Sequence, residues 1–194
     1  FDLTAAGYSL CIVNTGGNHA DLNEDYASVP AEMKAVARAL GVSVLRETTE
    51  EAVIANIVRL RSEVGDRAIL RALHFFNENR RVAAQVEALR AGDIEAFKAG
   101  VTASGNSSFK YLQNVYTNKN IAEQGLSLAL CLTEDFLAGT GAVSRVHGGG
   151  FAGTIQAFVP VHDTAAYAAR MNAVFGEGAC HILSVRPSGA CRIL

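Results

Sequence analysis

The stretch Ser144–Pro160, SRVHGGGFAGTIQAFVP, limits what this chain can be more sharply than any other. Gly148, Gly150 and Gly153 stand in the spacing G-x-G-x-x-G, Gly149 completes three glycines in a row, and strand-like residues flank the run on both sides. Each glycine costs roughly 0.5–1 kcal/mol relative to alanine, so such a run marks a place where a backbone or a ligand comes close, or where φ is positive. A dinucleotide-binding loop must open a helix, because the helix N-terminus holds the pyrophosphate. Here TIQAFVPV follows, and the helical pattern waits until Asp163. A protein-kinase glycine loop does precede a strand, but too few residues follow Gly153 for the remaining machinery, and H-R-D, D-F-G and a Walker A pattern are all missing. A glycine-rich hairpin turn that binds nothing stays open as the alternative.

The chain's 194 residues, 49% of them hydrophobic, suffice for one domain or for one large half of something bigger. The net charge of −2 leaves no basic footprint, so nucleic acid is excluded as an expected partner. A membrane is excluded too: GLSLALCLTEDFL is interrupted by Thr133, Glu134 and Asp135, well short of the roughly 18 apolar residues a span requires. Cys11, Cys131, Cys180 and Cys191 lie far apart in apolar surroundings without C-x-x-C spacing, which predicts four buried thiols rather than zinc ligands or disulfides. That usage, with no basic stretch leading into a secretory apolar run, predicts a cytoplasmic protein. Opening at Phe1 just before a strand-like segment, the chain reads as a piece of a longer polypeptide.

YSLCIVN (Tyr8–Asn14), apolar and bounded by glycines, predicts a buried strand. Helical patterns run from about Tyr26 to Leu40 and from Thr49 to Ser62, with stops at Gly41 and Gly65. Ile69, Leu73, Phe76, Ala83 and Val86 predict one apolar stripe on a long helix ended by Gly92. Asp93 can cap the next helix, and IAEQGLSLALCLTEDFLAG makes a further one. After Ala142 come strand, glycine loop, strand, a helix capped by Asp163, and a hairpin, CHILSVRPSGACRIL, turning at Pro187, Ser188 and Gly189. Helices in the middle and strands at the ends predict an α+β fold: one domain over 1–194, an antiparallel sheet of about four strands with helices packed on one face.

Taken together, these segments resemble the C-terminal half of the galactokinase family within the GHMP small-molecule kinases. Ser144, Arg145, Val146, His147, Gly148–Gly150, Phe151, Ala152 and Gly153 are similar to that family's S-R-M-T-G-G-G-F-G-G. RALHFFNENRRV is similar to R-A-x-H-V-x-x-E-x-x-R-V, with Arg71, Ala72, His74, Glu78, Arg81 and Val82 in step. IVNTGGNHADLNEDY aligns His19, Leu22 and Tyr26, and ALGVSVLRE and GACRIL have counterparts as well.

The resemblance implies transfer of the ATP γ-phosphoryl group to the anomeric hydroxyl of galactose, with ATP and Mg²⁺ as cofactors and a further N-terminal domain as partner. That domain would carry the serine-rich phosphate loop, the Mg²⁺ ligands and the catalytic Asp and Arg, since P-x-G-x-G-L-S-S-S-A does not occur here. No catalytic residue and no metal ligand is therefore expected in this chain, which alone should be inactive. Tyr26 would meet the sugar, and Gly148, Gly149, Gly150 and Gly153 would close the nucleotide side, their amides supporting a phosphoryl group. His74, Glu78 and Arg81 read as structural, the last two pairing on one helix face. Val29 and Pro30 stand where the family has an arginine pair, Asn18 where relatives often have arginine, Ala152 for a loop glycine and His147 for a small hydroxyl residue. These departures keep three rivals open: a sugar and nucleotide sensor without chemistry, another sugar kinase of the superfamily, and a non-catalytic interaction domain.

Overall fold

The computed structural model describes residues 1–17 and 21–185. β1 (Tyr8–Asn14) turns Cys11 and Val13 into the core. A helical block follows: α1 (Asn23–Ala39), α2 (Glu50–Ala55), α3 (Ile57–Glu63), α4 (Asp66–Arg90) and α5 (Ile94–Ser107), the last prolonged by a π-helical turn, Ser108–Leu112. Then come α6 (Gly125–Phe136), β2 (Val143–His147), β3 (Thr154–Pro160), α7 (Thr164–Phe175) and β4 (Cys180–Leu183). This is the expected α+β order.

The four strands form one antiparallel sheet in the order β2-β3-β1-β4. Pairing runs from Tyr8 opposite Pro160 to Asn14 opposite Thr154, and β2 ends with His147 opposite Thr154, so the glycine run bridges β2 and β3 at that edge. α6 and α7 pack on one face, where Leu126, Ala129, Tyr167 and Met171 meet Cys11, Val13, Ile155 and Val159. Burying each such aliphatic side chain stabilises by about 1.5–3 kcal/mol. Along the other side of β3, Phe158 meets Val101 of α5. α1 to α4 close a second apolar cluster around Val36, Val53, Leu60, Ile69 and Ala72. No helix among the described residues is long and apolar enough to cross a membrane.

The structure corrects several expectations. The helix expected over 49–62 breaks at Asn56, whose Nδ2 donates to the Ala52 carbonyl at 2.9 Å and so offers that backbone a local alternative. α1 begins three residues before Tyr26, at Asn23. The stripe expected on α4 holds at Ile69 and fails at Ala83 and Val86, which face solvent. Arg71, His74, Glu78, Arg81 and Gln85 turn inward instead, because α5 lies on that side and its Gly100 leaves the space that Gln85 fills. Asp93 caps α5 by accepting from the Ala96 amide at 2.9 Å, whereas Asp163 makes no such bond, and Thr164 Oγ1 bonds the Pro160 carbonyl there. Cys11 and Cys180 are buried free thiols, but Cys131 is exposed, on the face of α6 opposite Leu126, Ala129 and Thr133. Asn18, His19, Cys191, GACRIL and the turn at Pro187–Gly189 lie outside the described residues.

Candidate functional site

The ladder between β2 and β3 stops at His147 and Thr154, and the chain must reverse between them. It does so with positive φ at Gly148 (74°), Gly150 (82°) and Gly153 (94°), and at Phe151 (59°). At Gly150 a β-carbon would lie 1.9 Å from the backbone oxygen of Asn114, so no side chain fits. The close approach foreseen from the glycines is thus met, at this position, by the chain's own backbone.

Three segments distant in sequence hold the loop. From the turn after α5, the Asn114 carbonyl accepts from the Phe151 amide at 2.5 Å and Asn114 Nδ2 donates to the Gly149 carbonyl at 3.0 Å. Just past β1, Thr15 donates from both its amide and its hydroxyl to the Gly153 carbonyl, each at 2.9 Å. From α1, the Tyr26 hydroxyl donates to the Gly150 carbonyl at 2.7 Å, and its ring stands edge-on to Phe151 with centroids 5.4 Å apart. Gly149 is tight against that ring: a β-carbon there would lie 3.0 Å from Tyr26 Cε1. Burial pushes the Tyr26 phenol above its usual range, so it keeps its donor at neutral pH.

Of the residues singled out from the sequence, Tyr26 therefore meets Gly149 and Gly150, while Gly153 is held by Thr15 and Gly148 stands exposed in the same loop. The amides of Phe151 and Ala152 are spent inside the loop, on the Asn114 and Gly150 carbonyls, while Gly148 and Gly149 at the crest are exposed. His147 is exposed as well, its Nδ1 2.9 Å from Gln156 Oε1 on the neighbouring strand. Ala152 is accommodated by Gly17, where a β-carbon would come within 3.0 Å of the alanine methyl. Val29 is half-buried and Pro30 exposed in α1, where proline has no N–H to give the Tyr26 carbonyl.

Two clefts flank Phe151 and share Thr117, Lys119 and Phe151 as walls. One, of about 780 Å³, runs between Thr15–Gly17, Ala152 and Gly125; the other, of about 380 Å³, lies toward Arg67 and Arg71. Two of their cationic groups are paired at short range: Lys119 Nζ is 2.6 Å from Glu24 Oε2, and Arg71 NH1 is 2.9 Å from Glu32 Oε2. Lys119 holds the Glu24 carboxyl below its usual range. Burial lowers the Arg71 guanidinium's pKa against the pull of Glu32. Among the described residues no group of three or more His, Cys, Asp or Glu side chains could hold a metal ion.

Beneath the loop, a polar seam joins α4, α5 and β2. His74 Nδ1 lies 2.8 Å from Ser107 Oγ, and burial first of all lowers its pKa. Glu78 pairs with Arg81 and accepts from Ser104, and Arg145 of β2 reaches Ser104 Oγ at 2.5 Å and Glu78 Oε1 at 3.4 Å. Asn114 and Thr15 were not foreseen from the sequence. Both act largely through backbone carbonyls or on them, across separations of 35 and 138 residues, and nothing in their local sequence marks that.

No family model matches the chain. It is 32% identical over 154 residues to galactokinase of Actinobacillus pleuropneumoniae serotype 5b (strain L20), covering 79% of this chain and 38% of that protein. Galactokinase of Streptomyces coelicolor is 29% identical over 198 residues, covering 100% of this chain and 48% of its own length. In three dimensions the chain resembles Lactococcus lactis galactokinase, crystallised in complex with galactose, at a TM-score of 0.69 and 24% identity, over 92% of this chain and 45% of that one. The chain spans less than half the length of these relatives.

Proposed function

This chain belongs to the galactokinase family of the GHMP kinases, and from that premise we propose that it forms the C-terminal part of a sugar kinase that transfers the ATP γ-phosphoryl group to the anomeric hydroxyl of galactose. The observation that carries the reading is the single contact joining Tyr26 to the glycine crest, with open clefts on both sides of Phe151. Phosphoryl transfer depends mainly on positioning and on charge stabilisation. Here Tyr26 supplies an apolar ring beside the sugar while its hydroxyl steadies the loop, and the exposed crest at Gly148 and Gly149 faces the rest of the protein and keeps water from the reacting groups.

ATP would bind against that crest, together with Mg²⁺, whose ligands and the catalytic Asp and Arg belong to the rest of the protein. No step runs through the metal on this chain. The buried thiols of Cys11 and Cys180 support a reducing, cytoplasmic setting. In the test, the full-length protein is given galactose and MgATP and ADP release is followed. Sugar-dependent ADP is expected, and a panel of other sugars identifies the acceptor.

A second reading, a sensor that binds sugar without turning it over, draws on Val29 and Pro30 in α1, where relatives carry an arginine pair. It predicts galactose binding by calorimetry with no ADP formed.

A further inference from the structure

Among the described residues, the non-glycine positions with positive φ are Gln113 (55°) and Phe151 (59°). They lie on the two sides of one hydrogen bond, from the Phe151 amide to the Asn114 carbonyl. Left-handed conformations at residues with a β-carbon persist where their surroundings over-determine them. On one side the surroundings are the π-helical turn at the end of α5, whose Leu112 carbonyl accepts from Arg71 Nε at 3.0 Å. On the other they are the glycine loop itself. π-Helical turns are rare and concentrate at functional sites.

The side chain of Asn114 adds an independent sign. The residue is 3% exposed, and Nδ2 donates to the Gly149 carbonyl, yet Oδ1 is buried with no partner among the described residues. A leucine would fill the same space without leaving an acceptor bare. What asparagine supplies and leucine cannot is the N–H aimed at the crest.

We propose that Asn114 is a positioning residue, through which the end of α5 fixes the height of the glycine crest so that the loop meets the group being transferred. The last clause rests on the kinase reading above; the clamp itself does not. The experiment uses the full-length protein and Asn114→Leu, with hydrogen exchange, thermal unfolding and steady-state kinetics measured on both. Exchange over residues 148–153 is expected to quicken about tenfold, with the β3 core and Tm unchanged. kcat should fall about tenfold to a hundredfold while KM for the sugar stays within about twofold.

Unchanged exchange at the loop overturns the clamp. Faster exchange throughout with a lower Tm makes Asn114 a general support of the fold and overturns it as well. A loosened loop with unchanged kcat overturns the positioning role. If the unmodified protein turns over no sugar, the kinase reading fails, and loop exchange alone still decides the clamp.

Discussion

The two sides of the sheet differ at the strand that leads into the glycine loop. Both carry apolar contacts, Phe158 and Val143 lying in one cluster with Val101 of α5, but the α5 side adds an ion-paired seam. Against α6 and α7 the contact is almost wholly apolar, with Thr133 bonded to the Tyr167 hydroxyl at 2.8 Å as a polar point within it. Against α4 and α5, β2 is held by Arg145, Glu78 and Ser104. Apolar contact is non-directional: it sets how much surface is buried and leaves orientation to shape. Hydrogen bonds and ion pairs specify angle and distance, at the cost of desolvating charge. β2 leads straight into the glycine loop, so the chain uses directional contacts where a strand must be aimed and apolar ones where it must only be supported.

Substitution on each side breaks this contrast in different ways. Met171→Ala, at a fully buried position of the apolar side, is expected to lower stability by about 2–5 kcal/mol in chemical denaturation while leaving loop exchange near its original rate. Arg145→Met strips Glu78 of one partner where both side chains are only about a quarter exposed, 24% and 23%. A loss of about 2–3 kcal/mol is expected, below the fully buried case, with faster exchange at 148–153. Arg145→Met combined with Glu78→Leu and Arg81→Met, which also removes the second arginine paired with Glu78, sharpens the comparison. Replacing a whole buried ionic set by apolar residues is often near neutral, so stability should recover to within about 1 kcal/mol of the original while the loop stays loose. If stability and loop exchange recover together, the seam supports β2 no differently from the apolar side. Tyr26→Phe removes one hydrogen bond to the Gly150 carbonyl and keeps the ring, for about 0.5–1.5 kcal/mol.

The same contrast explains what could be read from the sequence. The glycine-bounded apolar strand at Tyr8–Asn14, the Asp93 cap and the glycine loop between two strands were legible, because each is a local pattern with a local cause. The inward face of α4 was not. Hydropathy favours Val86, yet the side that meets α5 carries Glu78, Arg81 and Gln85, whose polar ends find partners supplied from α5, β2 and within α4 itself. Asn56 ended a helix by bonding a carbonyl four residues back, in a pattern whose apolar spacing gave no warning. Tyr26 and the glycines were singled out through several motifs in order, and in the fold Tyr26 lies against Gly149 and Gly150. Asn114 is out of reach of that method, since one of its bonds to the loop uses a backbone carbonyl that every residue possesses and the other reaches a glycine 35 residues away.

The smallest effect tests the seam by pH. Burial holds His74 below its ordinary value of 6.5, against the pull of Glu78 and with Arg81 and Arg145 also disfavouring the proton, and Ser107 accepts or donates at Nδ1. The unfolded chain therefore binds a proton near pH 6.5 that the folded one refuses, and stability falls as the pH drops through that value. At pH 6 one such proton costs at most about 0.8 kcal/mol. The carboxyls of Glu24 and Asp66 are held low by Lys119 and Arg61, so their loss of stability comes at more acid pH, below their ordinary 4.5 and 3.8. The two windows are separable. His74→Gln should flatten the stability profile between pH 7.5 and 6 while leaving the acid limb in place. An unaltered slope in that variant would mean that the imidazole takes up its proton as readily in the fold as in the unfolded chain, the pull of Glu78 cancelling burial.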